Sequence, residues 1–208
     1  MSTEKDTIEE IVELEWEMFD QVHNRGGRAA CQDDWDTFFL MRASQLEAWD
    51  GAMRQSYLHD LQDAKAVGRN PLQDKYAYMM ARTNPTEYAE ICRFIPPRDP
   101  AKQPLIDEIC QAHVDWLIQL HAQYPNLTGR GRPIRRSEDA PGVTSMETYL
   151  WGELETYSLH TLQLYAAYVR ALQAQGQSMN RMVLENMAGR YGYASLEQAE
   201  ASLSGQNE

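Results

Sequence analysis

Apolar residues return every three or four positions along most of this chain, and no stretch alternates cleanly as a strand would. Ile8, Ile11, Val12, Trp16, Phe19 and Val22 form the first stripe. Thr7 and Glu10 make a capping box at its start, and the stretch from Asn24 to Gly27 ends it. Its outer face carries Glu9, Glu10, Glu13 and Glu17, a solvated acidic face. A second stripe, capped by Asp33 or Asp34, runs through Trp35, Phe38, Phe39, Leu46, Trp49, Met53, Tyr57 and Leu61 until Gly68 and Pro71. Ser44 with Glu47 offers a competing restart, so a break near residue 44 is an alternative to one long helix. Pro71 opens a short helix through Met80, and a second covers Glu87 to Phe94. Pro96, Pro97, Pro100 and Pro104 mark a stiff connector. Ile109, His113, Trp116, Leu117 and Leu120 then give a helix from Leu105 to about Tyr124. The longest helix is predicted from Met146 to Ala174, between the cap Ser145 and the stop Gly176. Ser178 starts another, to about Arg190, and Ser195 a last one.

These segments predict an all-α chain, a single-domain irregular bundle of about seven to eight helices over residues 1–203, without sheet, and a loose tail at 204–208. Composition supports the helical reading, since Leu, Ala and Met number 51 against 15 Val and Ile. Leu, Ile, Val and Phe make up only 18%, which with a net charge of −12 is a warning of disorder. The 10 Met, 5 Trp and 11 Tyr answer it, because they supply the bulk a core needs. The acidic balance disfavours general nucleic-acid binding. Three cysteines without a CxxC pair, no signal-peptide pattern and no membrane-length apolar run lead to the expectation of a reduced, cytoplasmic, non-membrane protein.

Two loops interrupt this regularity. Between Tyr124 and Ser145 no helical stripe is present, and Arg130, Arg132, Arg135 and Arg136 fall within seven positions. Gly129 and Gly131 allow close backbone approach. Arginine forks match carboxylate or phosphate oxygens two at a time, so the cluster has the composition of an anion clamp. The plain alternative is ion pairing with acids of this chain or of a neighbouring subunit. The other loop, residues 24–34, places Arg28 and Cys31 before Asp33 and Asp34. A helix start lowers a thiol pKa whereas adjacent acids raise it, so Cys31 as nucleophile competes with Cys31 as a small packing residue. Asp33 and Asp34 are equally readable as caps.

Polar residues also intrude on apolar stripes. Arg42 falls between Phe39 and Leu46, and Glu153, Tyr157 and His160 share one face of the long helix. A buried arginine needs a carboxylate, for which Glu153 is the candidate. Cys31, Asp33, Asp34, Glu153 and His160 are therefore the candidate catalytic groups, and Arg28, Arg42, Arg130, Arg132, Arg135 and Arg136 the candidate ligand-binding ones. Metal ligation is not expected, because no two of the five histidines stand at helical-pair spacing and no di-iron, HExxH or EF-hand pattern occurs. No organic cofactor is indicated. Arg54-x4-His59 matches the signature of helical ribonucleases of the HEPN type, but 15 arginines and 5 histidines yield about one such match by chance.

The segments Gly26 to Asp34, Gly129 to Ile134 and Glu147-Thr148-Tyr149-Leu150 resemble the bacterial family called domain of unknown function 4125, over roughly residues 8–200. The resemblance implies a stand-alone bacterial cytoplasmic domain and no assigned reaction. The leading expectation is a small-molecule enzyme or binder for a carboxylate- or phosphate-bearing ligand. A protein-interaction module using the acidic first helix or the arginine loop is the alternative, with the HEPN-like ribonuclease third. The first reading requires both loops at one end of the bundle, with Arg42 and Glu153 on the floor between them.

Overall fold

The computed structural model describes residues 4–23 and 27–204. Its eleven α-helices are α1 (Glu4–Asp20), α2 (Trp35–Glu47), α3 (Gly51–Ala66), α4 (Pro71–Thr83), α5 (Pro85–Ile91), α6 (Gln103–Gln123), α7 (Pro125–Thr128), α8 (Met146–Thr156), α9 (Leu159–Ala174), α10 (Met179–Arg190) and α11 (Leu196–Ser204). Among the described residues 75% are helical. The β pairing there is an isolated bridge, Ala140 with Val143. The turn expected at 24–27 lies outside the described residues except for Gly27, and so does the tail beyond Ser204.

The all-α architecture agrees with the periodicity, but the count exceeds seven to eight. Two expected helices are each cut in two, and α7 is a short addition. The first cut falls at residues 48–50, not near Ser44, which is fully buried within α2. Asp50 caps α3 by accepting from the Met53 N–H at 2.8 Å. Arg54, 6% exposed, donates to the carbonyls of Leu46 (3.0 Å) and Trp49 at the end of α2. A buried guanidinium thus satisfies carbonyls that the helix end would orphan.

The second cut corrects the long helix predicted from Met146 to Ala174. Tyr157 and Ser158 are extended, with ψ near 150°. Ser158 Oγ accepts from Thr161 N at 3.1 Å, and Asp60 of α3 accepts from both Ser158 N (2.9 Å) and Thr161 Oγ1 (2.7 Å). A carboxylate from another helix therefore stabilises a break that the local sequence only permits.

The main core lies where α1, α2, α3 and α4 meet α6, α8 and α9, centred on Trp49, Tyr57, Tyr157 and Tyr165. Tyr57 and Tyr157 have ring centroids 4.7 Å apart. Helix α8 packs between α4 and α6. Its approach to α4 requires Gly152, because an added Cβ would lie 2.7 Å from Met79 Cγ and 3.0 Å from the Lys75 carbonyl oxygen. A smaller core around Leu120, Tyr124, Leu196 and Ala199 joins α7 and α11 to the ends of α6 and α10. Among the described residues no helix is long and apolar enough to cross a membrane.

Candidate functional site

Five helices send polar side chains inward to the same place. Arg42 of α2 forms two parallel bonds with Glu15 of α1, Nε to Oε2 at 2.7 Å and Nη2 to Oε1 at 2.5 Å. Its Nη1 reaches Gln45 at 2.7 Å and Glu153 of α8 at 3.2 Å. Lys75 of α4 donates to the other Glu153 oxygen at 2.6 Å. Tyr57 of α3 donates to Glu15 at 2.6 Å, and Tyr157 donates to Glu153 at 2.7 Å. Glu15 and Glu153 are 2% and 5% exposed. Two carboxylates and two cations form a charge-balanced quartet, the condition under which charges are tolerated in a core.

The electrostatics fix the chemistry of this floor. Burial opposes ionisation of Glu153, yet Lys75 and Arg42 hold its carboxyl well below the usual carboxylate range. Burial also opposes the charge on Lys75 and Arg42, and the facing carboxylates overcome it in both. The phenols of Tyr57 and Tyr157 are pushed up by burial and by Glu15 and Glu153 respectively. A carboxylate bound so firmly as an anion is a poor proton acceptor near neutral pH. Glu153 accepts hydrogen bonds from Arg42, Lys75 and Tyr157 at once.

Above the quartet opens a cavity of about 330 Å³. Cys31 and Asp34 of the first loop, Arg132 of the second, and Arg42, Lys75 and Glu153 from the floor all line it. The two loops thus stand at the same end of the bundle, with Arg42 and Glu153 beneath them. Tyr149 forms part of the wall, with the Lys75 ammonium 3.7 Å and the Arg132 guanidinium 5.0 Å from its ring centroid. The two cations are therefore within about 9 Å of each other across one aromatic ring. Among the described residues, Lys75 donates to Glu153 and Arg132 to the Thr144 carbonyl at 3.2 Å. An ammonium has three N–H donors and a guanidinium five, more than these bonds use.

The chain resembles a known family in its sequence as well. A family model described as "Protein of unknown function (DUF4125)" matches residues 5–201. The chain belongs to this family. No curated protein and no solved structure matches it.

Within this member of the family, several sequence-predicted groups are held away from the cavity. Arg130 turns to the Leu203 carbonyl of α11 at 3.5 Å. Arg135 and Arg136 are exposed, Arg136 lying 3.7 Å from Glu147. Of the four arginines expected to form one clamp, Arg132 lines the cavity together with Lys75 and Arg42, whereas Arg130, Arg135 and Arg136 do not. Arg28 is a loop staple, bound to Asp33 (2.8 Å), Asp20 (2.5 Å) and the Gln32 carbonyl (2.7 Å). Asp33 is engaged by it. Asp34 caps α2 through Thr37 N at 3.1 Å, and that bond lowers its pKa. His160 is exposed on α9, since the break at Tyr157 turns it off the face of Glu153. Arg54 serves the α2 carbonyls while His59 is exposed beside Asp63, so the HEPN pair does not face a common cleft. Among the described residues no group of three His, Cys, Asp or Glu side chains is placed to hold a metal ion.

Lys75, Glu15, Gln32 and Tyr149 are not among the candidate site residues that the sequence singles out. Glu15 lies on the stripe of Ile8, Ile11 and Phe19, and Lys75 on that of Leu72 and Met79, the same signal that singled out Arg42. Gln32, 1% exposed, donates to the carbonyls of Phe19 (2.8 Å) and Val22 (3.1 Å) and accepts from Ala29 N (2.9 Å). It ties the Cys31 turn to the end of α1.

The second loop is ordered around the start of α8. Met146 N and Glu147 N donate to the carbonyls of Pro133 (2.8 Å) and Ile134 (3.1 Å), and Thr148 N donates to Ser145 Oγ (3.2 Å). These contacts leave the first turn of α8 occupied by the loop itself. Asp139 fastens the arrangement, accepting from Ser145 N and Thr148 Oγ1, each at 2.6 Å. Asp139→Ala is expected to cost about 2 kcal/mol and to open residues 129–144 to limited proteolysis. Cleavage at the wild-type rate would show that Asp139 does not hold the loop.

Proposed function

We propose that the chain binds a small molecule bearing a carboxylate or phosphate, and that Arg132 and Lys75 hold the anionic group beside Tyr149. The observation that carries this reading is the convergence of both loops and the charged floor on one cavity. The quartet is internally neutral, so Lys75 keeps its charge without losing every donor to Glu153. Phe38, Met41 and Tyr76 give the rest of the cavity an apolar and aromatic wall suited to a ligand body. A bacterial, cytoplasmic enzyme or carrier is consistent with this site. Cys31 and Asp34, at the mouth, are the groups that would face the far end of the ligand.

The test is native mass spectrometry of the purified protein for a co-purified anion, followed by calorimetric titration of aromatic carboxylates and phosphates. Arg132→Ala is expected to weaken the best of these at least tenfold, the worth of a charge-assisted hydrogen bond. Arg130→Ala, Arg135→Ala and Arg136→Ala are expected to stay within twofold. Equal losses across all four arginines would favour the alternative, a partner protein docking on the outward face of the loop where Arg130, Arg135 and Arg136 are exposed.

A further inference from the structure

Six acidic or basic side chains line the cavity beneath the two loops: Glu15, Asp34, Arg42, Lys75, Arg132 and Glu153. Four of them, Glu15, Arg42, Lys75 and Glu153, neutralise one another in the quartet. One charge of each sign is left over, Asp34 from the first loop and Arg132 from the second. Neither forms an ion pair among the described residues. Arg132 donates to a carbonyl and lies on the Tyr149 ring. Asp34 is held by Thr37, through its N–H at 3.1 Å and its hydroxyl, both neutral donors. A carboxylate has about four acceptor positions, so these two bonds leave Asp34 room for a cationic donor.

The two leftover charges occupy different walls. Asp34, Phe38 and Arg42 follow one another at i, i+4 spacing and all three line the cavity, so one face of α2 runs from the mouth to the charged floor. Eight residues at a helical rise place Asp34 roughly 12 Å above Arg42. Lys75 and Arg132 are instead gathered around Tyr149 of α8. A simple anion would satisfy that cationic end and leave Asp34 without a counterion. The α2 wall favours a cation for a second reason. Phe38 stacks on Phe19 with ring centroids 5.3 Å apart, and both rings line the cavity. Aromatic faces attract ammonium groups.

We infer, resting on the anion reading above, that the ligand is a zwitterion with its charges at opposite ends of an apolar body. Its anionic group lies on Lys75 and Arg132, and its ammonium faces Asp34 and Phe38. An apolar cavity of about 150 Å³ suffices for benzene, so one of about 330 Å³ has room for roughly a dozen non-hydrogen atoms. That is the size of an amino acid with a ring or a short chain between its two charges.

Four probes titrated calorimetrically into the intact protein test this. 4-(Aminomethyl)benzoate carries its charges at opposite ends. 4-Ethylbenzoate has the same shape without the cation, 4-methylbenzylamine lacks the anion, and phenylalanine bears both charges on one carbon. 4-(Aminomethyl)benzoate is expected to bind about fivefold more tightly than any of the other three. Asp34→Asn keeps the helix cap, because asparagine caps as well as aspartate, and should remove the advantage over 4-ethylbenzoate. Arg132→Ala should weaken both benzoates alike. Bound 4-(aminomethyl)benzoate should also slow alkylation of Cys31, which lines the cavity, and leave that of the exposed Cys92 unchanged. If 4-ethylbenzoate or phenylalanine binds as tightly, or if the advantage survives Asp34→Asn, the inference is overturned and the anion reading stands. If neither benzoate binds, if 4-methylbenzylamine binds as tightly, or if Cys31 is not protected, the anion reading falls and the zwitterion with it. The probe series uses unaltered protein, so it decides even if Asp34→Asn folds poorly.

Discussion

Glu153→Ala is expected to destabilise the fold by about 3–5 kcal/mol, the range for removing one partner of a buried ion pair. The substitution leaves the Lys75 ammonium, 7% exposed, facing an apolar gap, while Arg42 keeps Glu15. Urea unfolding measures the loss. The double variant Glu153→Leu with Lys75→Met should recover most of it, because the pair's own attraction is largely offset by the desolvation of both charges. A double variant as unstable as Glu153→Ala would show that the quartet, and not the orphaned charge, supplies the stability. The pH dependence follows the same logic. Glu153 ionises more readily folded than unfolded, so its contribution is complete above the ordinary value of 4.5 and declines as pH falls below it. Glu153→Gln should therefore flatten the wild-type loss of stability in that range. His113 titrates earlier. With its pKa lowered from 6.5 to about 4, its contribution fades as pH drops through that interval, so the effect of Glu153 is read below pH 4.

Gly152→Val should be the second severe change, costing about 3 kcal/mol or more. Valine improves on glycine in helix propensity by only a few tenths of a kcal/mol. Against that, the first added atom alone would stand 3.0 Å from the Lys75 backbone oxygen and 2.7 Å from Met79 Cγ. Met79 can rotate, but a helix carbonyl can only retreat with its helix. Helix α4 must then move from α8, and the 2.6 Å bond between Lys75 and Glu153 spans that interface. If the proposed function holds, anion affinity should fall together with stability, although neither Gly152 nor Met79 lines the cavity of Arg132 and Lys75. Unchanged affinity in a destabilised Gly152→Val protein would separate the helix spacing from the site.

Arg42 and Glu153 show how far local pattern reaches. A charged residue inside an apolar stripe must find an opposite charge, and Glu153 is indeed 3.2 Å from Arg42. The stronger partner, however, is Glu15, which stands on an equally apolar stripe. One-dimensional reading flags such intruders without ranking the pairings, since which stripes face each other is set by packing. The Arg130–Arg136 run shows the opposite failure. Proximity in sequence suggested one clamp, but in a loop without helical period successive side chains take directions set by turns. Arg132 lies over Tyr149 while Arg130 reaches α11.

Heptad-scale periodicity and capping residues determined that this chain would be all helical, because both depend on backbone geometry within a few residues. They also determined that buried charges would need partners. Where helices break was decided by tertiary contacts, by Arg54 reaching back to α2 and Asp60 reaching across to Ser158. The composition of the site was decided the same way. Lys75 joins Glu153 only because Gly152 lets two backbones approach, a distance that no local pattern encodes.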